Sequence, residues 1–270
     1  MNEQLDFLFQ GLIGKNTYLP TELGAPARVH HGEHYAVVNS SWKTDTFNLI
    51  ISKQLGEAAP KVVERWCSEF NDAKLPAAWW TCDELRDEPV APLLRRLHFV
   101  EDEVDVGMIA DLDTLPALDY PAGLELKQVT TEEEVVAFGR LIASLFDPPD
   151  VFVTSFYERV ARLGRWEERP LKLFLGSVDG RPVATSSIYL DGKGGAHIFD
   201  ISTLAEVRHR GFGSAITHFS LAFAHGLGAR RGALQAAPDG VNIYRRIGFR
   251  ELCTFRIYSN KQAIFSQLPR

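Results

Sequence analysis

Two glycines and three basic residues, close together in the chain, are the strongest candidates for chemistry. Arg208, His209 and Arg210 come directly before Gly211, and Gly213 follows two positions later. Glycine permits left-handed backbone and a close approach by a ligand, so several amides can converge on one anion where a helix begins. The cationic side chains add donors and positive charge. This spacing predicts a loop that binds a pyrophosphate.

The loop must be positioned by a strand before it and a helix after it. Residues 196–201 are mostly apolar and partly alternating, as in a strand, and Ile216, Phe219 and Phe223 recur at helical spacing. A helix that begins at this loop would direct the positive end of its dipole at the anion. The sequence therefore predicts the order strand, basic loop, helix.

Two motifs carry a resemblance to a known family. The pattern R-x-x-G-x-G at 208–213 resembles the R/Q-x-x-G-x-G/A loop with which the GNAT superfamily of N-acyltransferases holds the pyrophosphate of acetyl-CoA. Residues 244–249, Y-R-R-I-G-F, are similar to the Y-x-x-x-G-F ending of a later helix of that family. A dinucleotide site fits less well, because Ile216 stands where a third glycine is needed and the acidic residue expected further on is missing.

The resemblance implies a fold of the α/β (α+β) class. A GNAT-like fold has a mixed, mostly antiparallel twisted sheet flanked by helices. From Leu124 the pattern of the sequence predicts a strand, two helices, three strands, a helix, a strand, a helix and a strand, which is the order of the family. Asp179-Gly180 is a strong hairpin signal between two of these strands.

The resemblance also implies an activity and its substrates. We expect an acetyl-CoA-dependent N-acetyltransferase that moves the acetyl group directly to a primary amine, with acetyl-CoA as the acyl donor. The acceptor stays open between a small-molecule amine and a protein amine. The alternative is a non-catalytic protein that binds acyl-CoA as a sensor or regulator.

Two residues are candidates for proton transfer. Family resemblance places Tyr244 beside the sulfur of CoA, and a phenol of pKa about 10 can protonate a thiolate whose thiol has a pKa of about 8.5. Asp200 is the candidate base on the central strand. It has the opposite strand parity to Thr203, where the family's strand usually bulges, so a bulge would change which face each occupies. The residues expected to bind the cofactor are Ile201, Ser202, Thr203, Arg208, His209, Arg210, Gly211, Phe212, Gly213 and Ser214.

The first half of the chain resembles the second. Residues 94–101 align with 244–251, 150 positions later, and share two arginines, a phenylalanine and a glutamate. The first half has no equivalent of the loop, because residues 53–60 contain one glycine, no arginine and a proline. We therefore predict two related domains in tandem: a degenerate GNAT-like domain at 1–115, a linker at 116–123 and a catalytic domain at 124–270.

Composition limits the other possibilities. The chain has 270 residues, 45% hydrophobic and 24% charged, with a net charge of −6, which argues against a general nucleic-acid binder. The sequence shows neither a membrane span nor a secretory signal, so we expect a cytoplasmic protein with no membrane partner. The three cysteines are widely spaced, which favours buried reduced thiols and no metal site. Oligomeric state stays open, a homodimer included.

Overall fold

The computed structural model describes residues 3–85 and 90–266. The chain forms two compact units. Unit 1 contains residues 1–107 and 252–270, and unit 2 contains residues 108–251. None of the helices in the described ranges has the length and apolar character needed to cross a membrane.

Unit 1 combines helices and short strands. Its elements in chain order are α1 (Glu3–Leu23), β1 (Arg28–His31), β2 (Tyr35–Asn39), β3 (Leu49–Ser52), α2 (Ala59–Asp72), β4 (Ala78–Cys82), α3 (Val90–Arg96) and β5 (Val100–Asp111), whose last residues belong to unit 2. Near the C-terminus, β11 (Arg250–Ser259), which enters unit 1 at Leu252, and α8 (Lys261–Ser266) complete the unit.

The sheet of unit 1 is mixed. β1 and β2 form an antiparallel hairpin, β2 pairs antiparallel with β3, β3 runs parallel to β4, and β4 pairs antiparallel with β11. The helix α2 lies on a core that includes Val63, Trp66 and Phe70, which recur at helical spacing and are buried. Trp79 of β4 is fully buried in the same core.

Unit 2 contains the predicted pyrophosphate loop. Its elements are β6 (Glu125–Gln128), α4 (Glu132–Ala143), α5 (Val151–Ala161), β7 (Leu171–Val178), β8 (Arg181–Leu190), β9 (Gly195–Thr203), α6 (Phe212–Gly226), β10 (Arg231–Ala236) and α7 (Val241–Arg246). The strand order is β10-β9-β8-β7-β6, with β9–β10 parallel and the other pairs antiparallel. The order predicted from the sequence is confirmed, and so is the fold class.

Two side-chain caps fix the helices that follow β6. Thr131 and Glu134 form a capping box at the start of α4, in which each side chain binds the backbone amide of the other. Asp150 accepts hydrogen bonds from the amides of Phe152 and Val153 and so begins α5. Asp150, in the loop between α4 and α5, therefore has a structural role as the N-cap of α5.

The structure repeats one supersecondary unit. In unit 1 the order β3, α2, β4 joins two parallel strands, and in unit 2 the order β9, α6, β10 does the same. The following helices, α3 and α7, end with the same backbone hydrogen bonds: Phe99 N to Leu94 O and Phe249 N to Tyr244 O, both 3.0 Å. The predicted tandem relationship is thus present in the fold.

The first helix, α1, extends over Glu3–Leu23. After it, Gly32 N bonds Tyr35 O and turns the chain between β1 and β2. The two compact units divide at 107/108 and 251/252, and β11 pairs with β4 in unit 1.

Candidate functional site

The loop between β9 and α6 has the backbone geometry of an anion site. Gly211 is the N-cap of α6 and has φ 82°, in the left-handed region that only glycine adopts readily. His209, two residues earlier, also has a positive φ of 63°. Within the described ranges, no backbone carbonyl accepts a hydrogen bond from the amides of residues 209–214. The four amides of residues 211–214, at the N-terminus of α6, and the two before them are therefore available to a ligand.

The loop is held in place by contacts on both sides of Gly213. Arg208 Nε donates to the carbonyl of Thr203, at 3.3 Å. Thr217 Oγ1 donates to the carbonyl of Gly213, at 2.8 Å. A Cβ on Gly213 would lie 3.5 Å from Thr203 Oγ1, whereas a Cβ on Gly211 would lie 3.3 Å from Pro121. A side chain at either glycine would therefore lie against neighbouring residues next to the amides.

Positive charge surrounds the loop. Arg208, His209 and Arg210 are exposed, and the guanidinium of Arg210 lies 5.4 Å from the ring centre of Phe212. Phe212 itself is buried and anchors the first turn of α6. The nearby Glu206 forms an ion pair with Arg181 at 2.6 Å.

The strands beside the loop separate before they end. β9 and β10 pair in parallel only over three residues, Gly195–His197 with Arg231–Ala233. Both strands continue beyond the last pair, β9 to Thr203 and β10 to Ala236. Among the described residues, the edge of Ile201, Ser202 and Thr203 that faces β10 therefore has no ladder partner, and its backbone groups can bond an extended ligand.

A β-bulge in β9 places Asp200. Thr185 is opposite Ser202 and Ser187 is opposite Phe199, so Asp200 and Ile201 together face the single residue Ser186. Asp200 has φ 54° at this bulge. The bulge was expected near Thr203, but Thr203 pairs regularly with Ala184. The extra residue of the bulge therefore lies between Asp200 and Thr203. It removes the difference in strand parity that a regular strand would impose on these two residues.

The carboxylate of Asp200 sits among buried polar groups. Ser187 Oγ donates to Asp200 Oδ2 at 2.6 Å, and Thr185 Oγ1 donates to the Asp200 carbonyl at 2.8 Å. Burial, together with the negative charge of Asp200, raises the pKa of Tyr157 on α5 well above its usual range. The phenol of Tyr157 therefore stays protonated at neutral pH.

Tyr244 is held by a separate set of contacts. The residue is 9% exposed on the last turn of α7. Its ring makes an edge contact with Phe249, with centroids 6.1 Å apart, and lies against Gly240, where a Cβ would be 3.0 Å from the ring. Gly248, with φ 103°, ends α7 and turns the chain to Phe249.

The sequence did not reveal the hydrogen-bond partners of Asp200. Ser187 and Thr185 are completely buried, and both come from strand β8. One signal was present: Thr185-Ser186-Ser187 places three hydroxyl side chains in succession within an apolar strand, and all three have no exposed surface. Buried hydroxyls need partners, so such a run indicates a polar network.

The corresponding loop of unit 1 is built differently. The chain passes from β3 through a 3₁₀ turn at Gly56–Ala58 into α2, whose first turn contains Pro60. Lys53, the only cation of this loop, pairs with Asp6 of α1 at 2.5 Å. The loop has neither the cluster of cations nor the run of amides found in unit 2.

Comparison with known proteins identifies the fold of unit 2. Residues 128–249 match the profile of the acetyltransferase (GNAT) family. No curated protein sequence matches the chain significantly.

Solved structures share the fold over most of the chain. A GCN5-related N-acetyltransferase from Kribbella flavida superposes with a TM-score of 0.68 at 18% identity, over 92% of this chain and 95% of that one. A GCN5-related N-acetyltransferase from Sphaerobacter thermophilus superposes with a TM-score of 0.58 at 14% identity, over 84% of this chain and 80% of that one.

A tandem GNAT protein from the clavulanic acid biosynthesis pathway superposes with a TM-score of 0.58 at 13% identity, over 90% of this chain and 86% of that one. These likenesses establish a tandem GNAT fold. Residues 128–249 therefore match the acetyltransferase (GNAT) family, within a chain that has the fold of tandem GNAT proteins.

Proposed function

We propose that the protein is an acetyl-CoA-dependent N-acetyltransferase that transfers the acetyl group directly to a primary amine. The observation that carries this proposal is the run of unpartnered amides at 209–214, at the end of a strand whose ladder to β10 has already stopped. An anion site joined to an open strand edge suits a ligand with a diphosphate at one end and an extended amide-containing arm.

In this proposal, the acyl donor acetyl-CoA is bound by backbone groups more than by side chains. We assign the diphosphate to the amides around Gly211 and Gly213, with Arg208, His209 and Arg210 supplying positive charge. The pantetheine arm would add to the open edge of Ile201, Ser202 and Thr203 as a short extra strand. An amide on this edge would also polarise the thioester carbonyl.

Asp200 is the proposed general base. An ammonium acceptor must lose a proton before its nitrogen can attack the thioester carbon. The carboxylate of Asp200 takes this proton, directly or through a water molecule. Ser187, at 2.6 Å, fixes the orientation of the carboxylate. The bulge brings Asp200 into this position on the strand that borders the thioester.

Tyr244 is the proposed general acid. As the nitrogen–carbon bond forms, the carbon–sulfur bond breaks and the thiolate of CoA leaves. The phenol of Tyr244 gives its proton to this sulfur. The nitrogen releases its second proton to solvent as the amide forms, and Tyr244 recovers a proton from solvent. Its ring is fixed by Phe249 and Gly240, so the hydroxyl keeps one direction. We propose that unit 1 has no catalytic role of its own, because its loop lacks the anion site.

The decisive experiment measures release of free CoA thiol from acetyl-CoA with a panel of amines. The panel should contain small polyamines, aminoglycosides, amino acids and a lysine peptide. Amine-dependent thiol release, with acetylated product detected by mass spectrometry, is the expected result. Tight acetyl-CoA binding by calorimetry without turnover of any amine would instead favour the acyl-CoA sensor.

A further inference from the structure

A second cluster of reactive side chains lies in unit 1. Cys82 ends β4, Glu84 lies in the turn after it, and Cys253 lies on β11. One ligand atom of each, two Sγ and a carboxylate oxygen, falls within 4.8 Å of the other two. We propose that Cys82, Glu84 and Cys253 bind a Zn²⁺ ion through two thiolates and one carboxylate.

The sheet explains why the two sulfurs meet. Cys82 is directly opposite Phe255 in the antiparallel β4–β11 pair. Side chains two apart on a strand point to the same face, so Cys253 is the diagonal neighbour of Cys82 on that face. The register of two strands far apart in sequence therefore creates the pair, and this is why the spacing of the cysteines did not predict it.

The carboxylate is held at the same place. Glu84 Oε2 accepts a hydrogen bond from the amide of Thr254, the residue after Cys253, at 2.9 Å. Cys82 Sγ lies 3.4 Å from the same oxygen. A sulfur and an oxygen bound to one tetrahedral zinc lie about 3.5 Å apart, given bond lengths of about 2.3 and 2.0 Å. The observed separation suits two ligands of one ion.

The surroundings favour a fixed pair of sulfurs. Both cysteines are free and buried. Gly107 has no side chain, and a Cβ there would collide with Cys253 Sγ. Glu84, by contrast, is exposed and gives an ion access from solvent. Its neighbour Asp83 is bound to Arg256, with Nε–oxygen distances of 2.8 and 2.9 Å, and does not compete for the ion.

The donor set selects the metal class. Two thiolates and one carboxylate suit Zn²⁺ and are poor ligands for Mg²⁺ or Ca²⁺, which require oxygen. Binding releases the two thiol protons to solvent and leaves a fourth position for water. Because the ligands come from β4, the following turn and β11, the ion would cross-link the two strands.

Cobalt substitution tests the site, since Zn²⁺ itself is spectroscopically silent. The full-length chain, reduced and freed of metal with a chelator, is titrated with Co²⁺. We expect one equivalent to produce a near-ultraviolet thiolate-to-cobalt charge-transfer band, and Zn²⁺ to abolish it. The band should lose at least about half of its intensity in Cys82→Ser and in Cys253→Ser, and Glu84→Gln should weaken Co²⁺ affinity at least about tenfold.

Cys67→Ser is the matched control, because Cys67 is a buried cysteine in the core of α2, away from the cluster. It should leave the band unchanged. X-ray absorption of the Zn²⁺-loaded wild-type protein does not depend on any variant folding. Two sulfur scatterers at about 2.3 Å are expected. A shell of nitrogen and oxygen only, or a band of undiminished intensity in Cys253→Ser, would overturn the proposal.

Discussion

The hydroxyl of Ser187 donates a 2.6 Å hydrogen bond to the carboxylate of Asp200, across the bulge in β9. The two residues lie on neighbouring strands, and the bulge lets the carboxylate stand where the regular pleat would put a different side chain. This contact makes the role of Asp200 testable with substitutions that preserve the backbone.

Asp200→Asn should remove the base without changing the strand. Asparagine tolerates the positive φ of this position and can still accept from Ser187. We expect kcat/KM for the amine acceptor to fall about 10²–10⁴-fold, with acetyl-CoA affinity unchanged. Steady-state kinetics and calorimetry measure the two effects. Ser187→Ala, which keeps the carboxylate but not its hydrogen bond, should lower kcat/KM less; equal rates for wild type and Asp200→Asn would exclude the base.

Tyr244→Phe should separate packing from proton transfer. Phenylalanine keeps the ring contacts with Phe249 and Gly240 and removes only the hydroxyl. We expect kcat to fall by about 10² or more, with melting temperature and acetyl-CoA dissociation constant unchanged. The loss should shrink with a thioester whose thiol is more acidic, because its leaving group needs less protonation. A loss independent of the leaving group would assign Tyr244 to cofactor positioning.

Gly213→Val should block the amides that we assign to the diphosphate. A Cβ at this position meets only Thr203 Oγ1, at 3.5 Å, so the fold can accommodate the start of the side chain. We expect the dissociation constant for CoA to rise at least about tenfold, or roughly 1.4 kcal/mol. Gly226→Val is the control and should bind CoA normally. Gly226 is the last residue of the same helix, and a Cβ there has no described neighbour within 4 Å. Unchanged affinity in Gly213→Val would remove the loop assignment.

His98→Gly should stabilise the protein. His98 has φ 66° at the end of α3, where the equivalent residue after α7 is Gly248 with φ 103°. A side chain in left-handed backbone costs roughly 1 kcal/mol, and His98 is exposed, so little packing is lost. We expect a gain of about 1 kcal/mol in the free energy of unfolding, measured in urea. Gly248→Ala should change it in the opposite direction.

Asp105→Asn should stabilise the protein at neutral and alkaline pH but not at acidic pH. Burial, with a further effect from the charge of Glu103, raises the pKa of Asp105 to about 6. In the unfolded chain an aspartate has a pKa of about 3.9, so the folded state binds more protons between these values. This group's contribution to stability is therefore lost as pH rises from about 4 to about 6. We expect a gain of roughly 1 kcal/mol at pH 8, and none at pH 4, in urea titrations. A gain of equal size at both pH values would contradict the assignment.

The sequence by itself determined the elements of unit 2 and the loop between β9 and α6. Gly211, Gly213 and the basic residues before them can be interpreted from local sequence, because a left-handed N-cap and the start of a helix depend on neighbouring residues. The aligned arginines of 94–101 and 244–251 likewise revealed the repeat, because both segments end a helix with the same local turn.

Only the tertiary structure decided the long-range pairings. The register shift at Asp200 depends on β8, the pKa of Tyr157 depends on burial of α5, and the meeting of Cys82 with Cys253 depends on β11 pairing with β4. Unit 1 also takes its last strand from the end of the chain. Strand partners are chosen by packing and hydrogen bonds between distant segments, which leave no signal in the local order of residues.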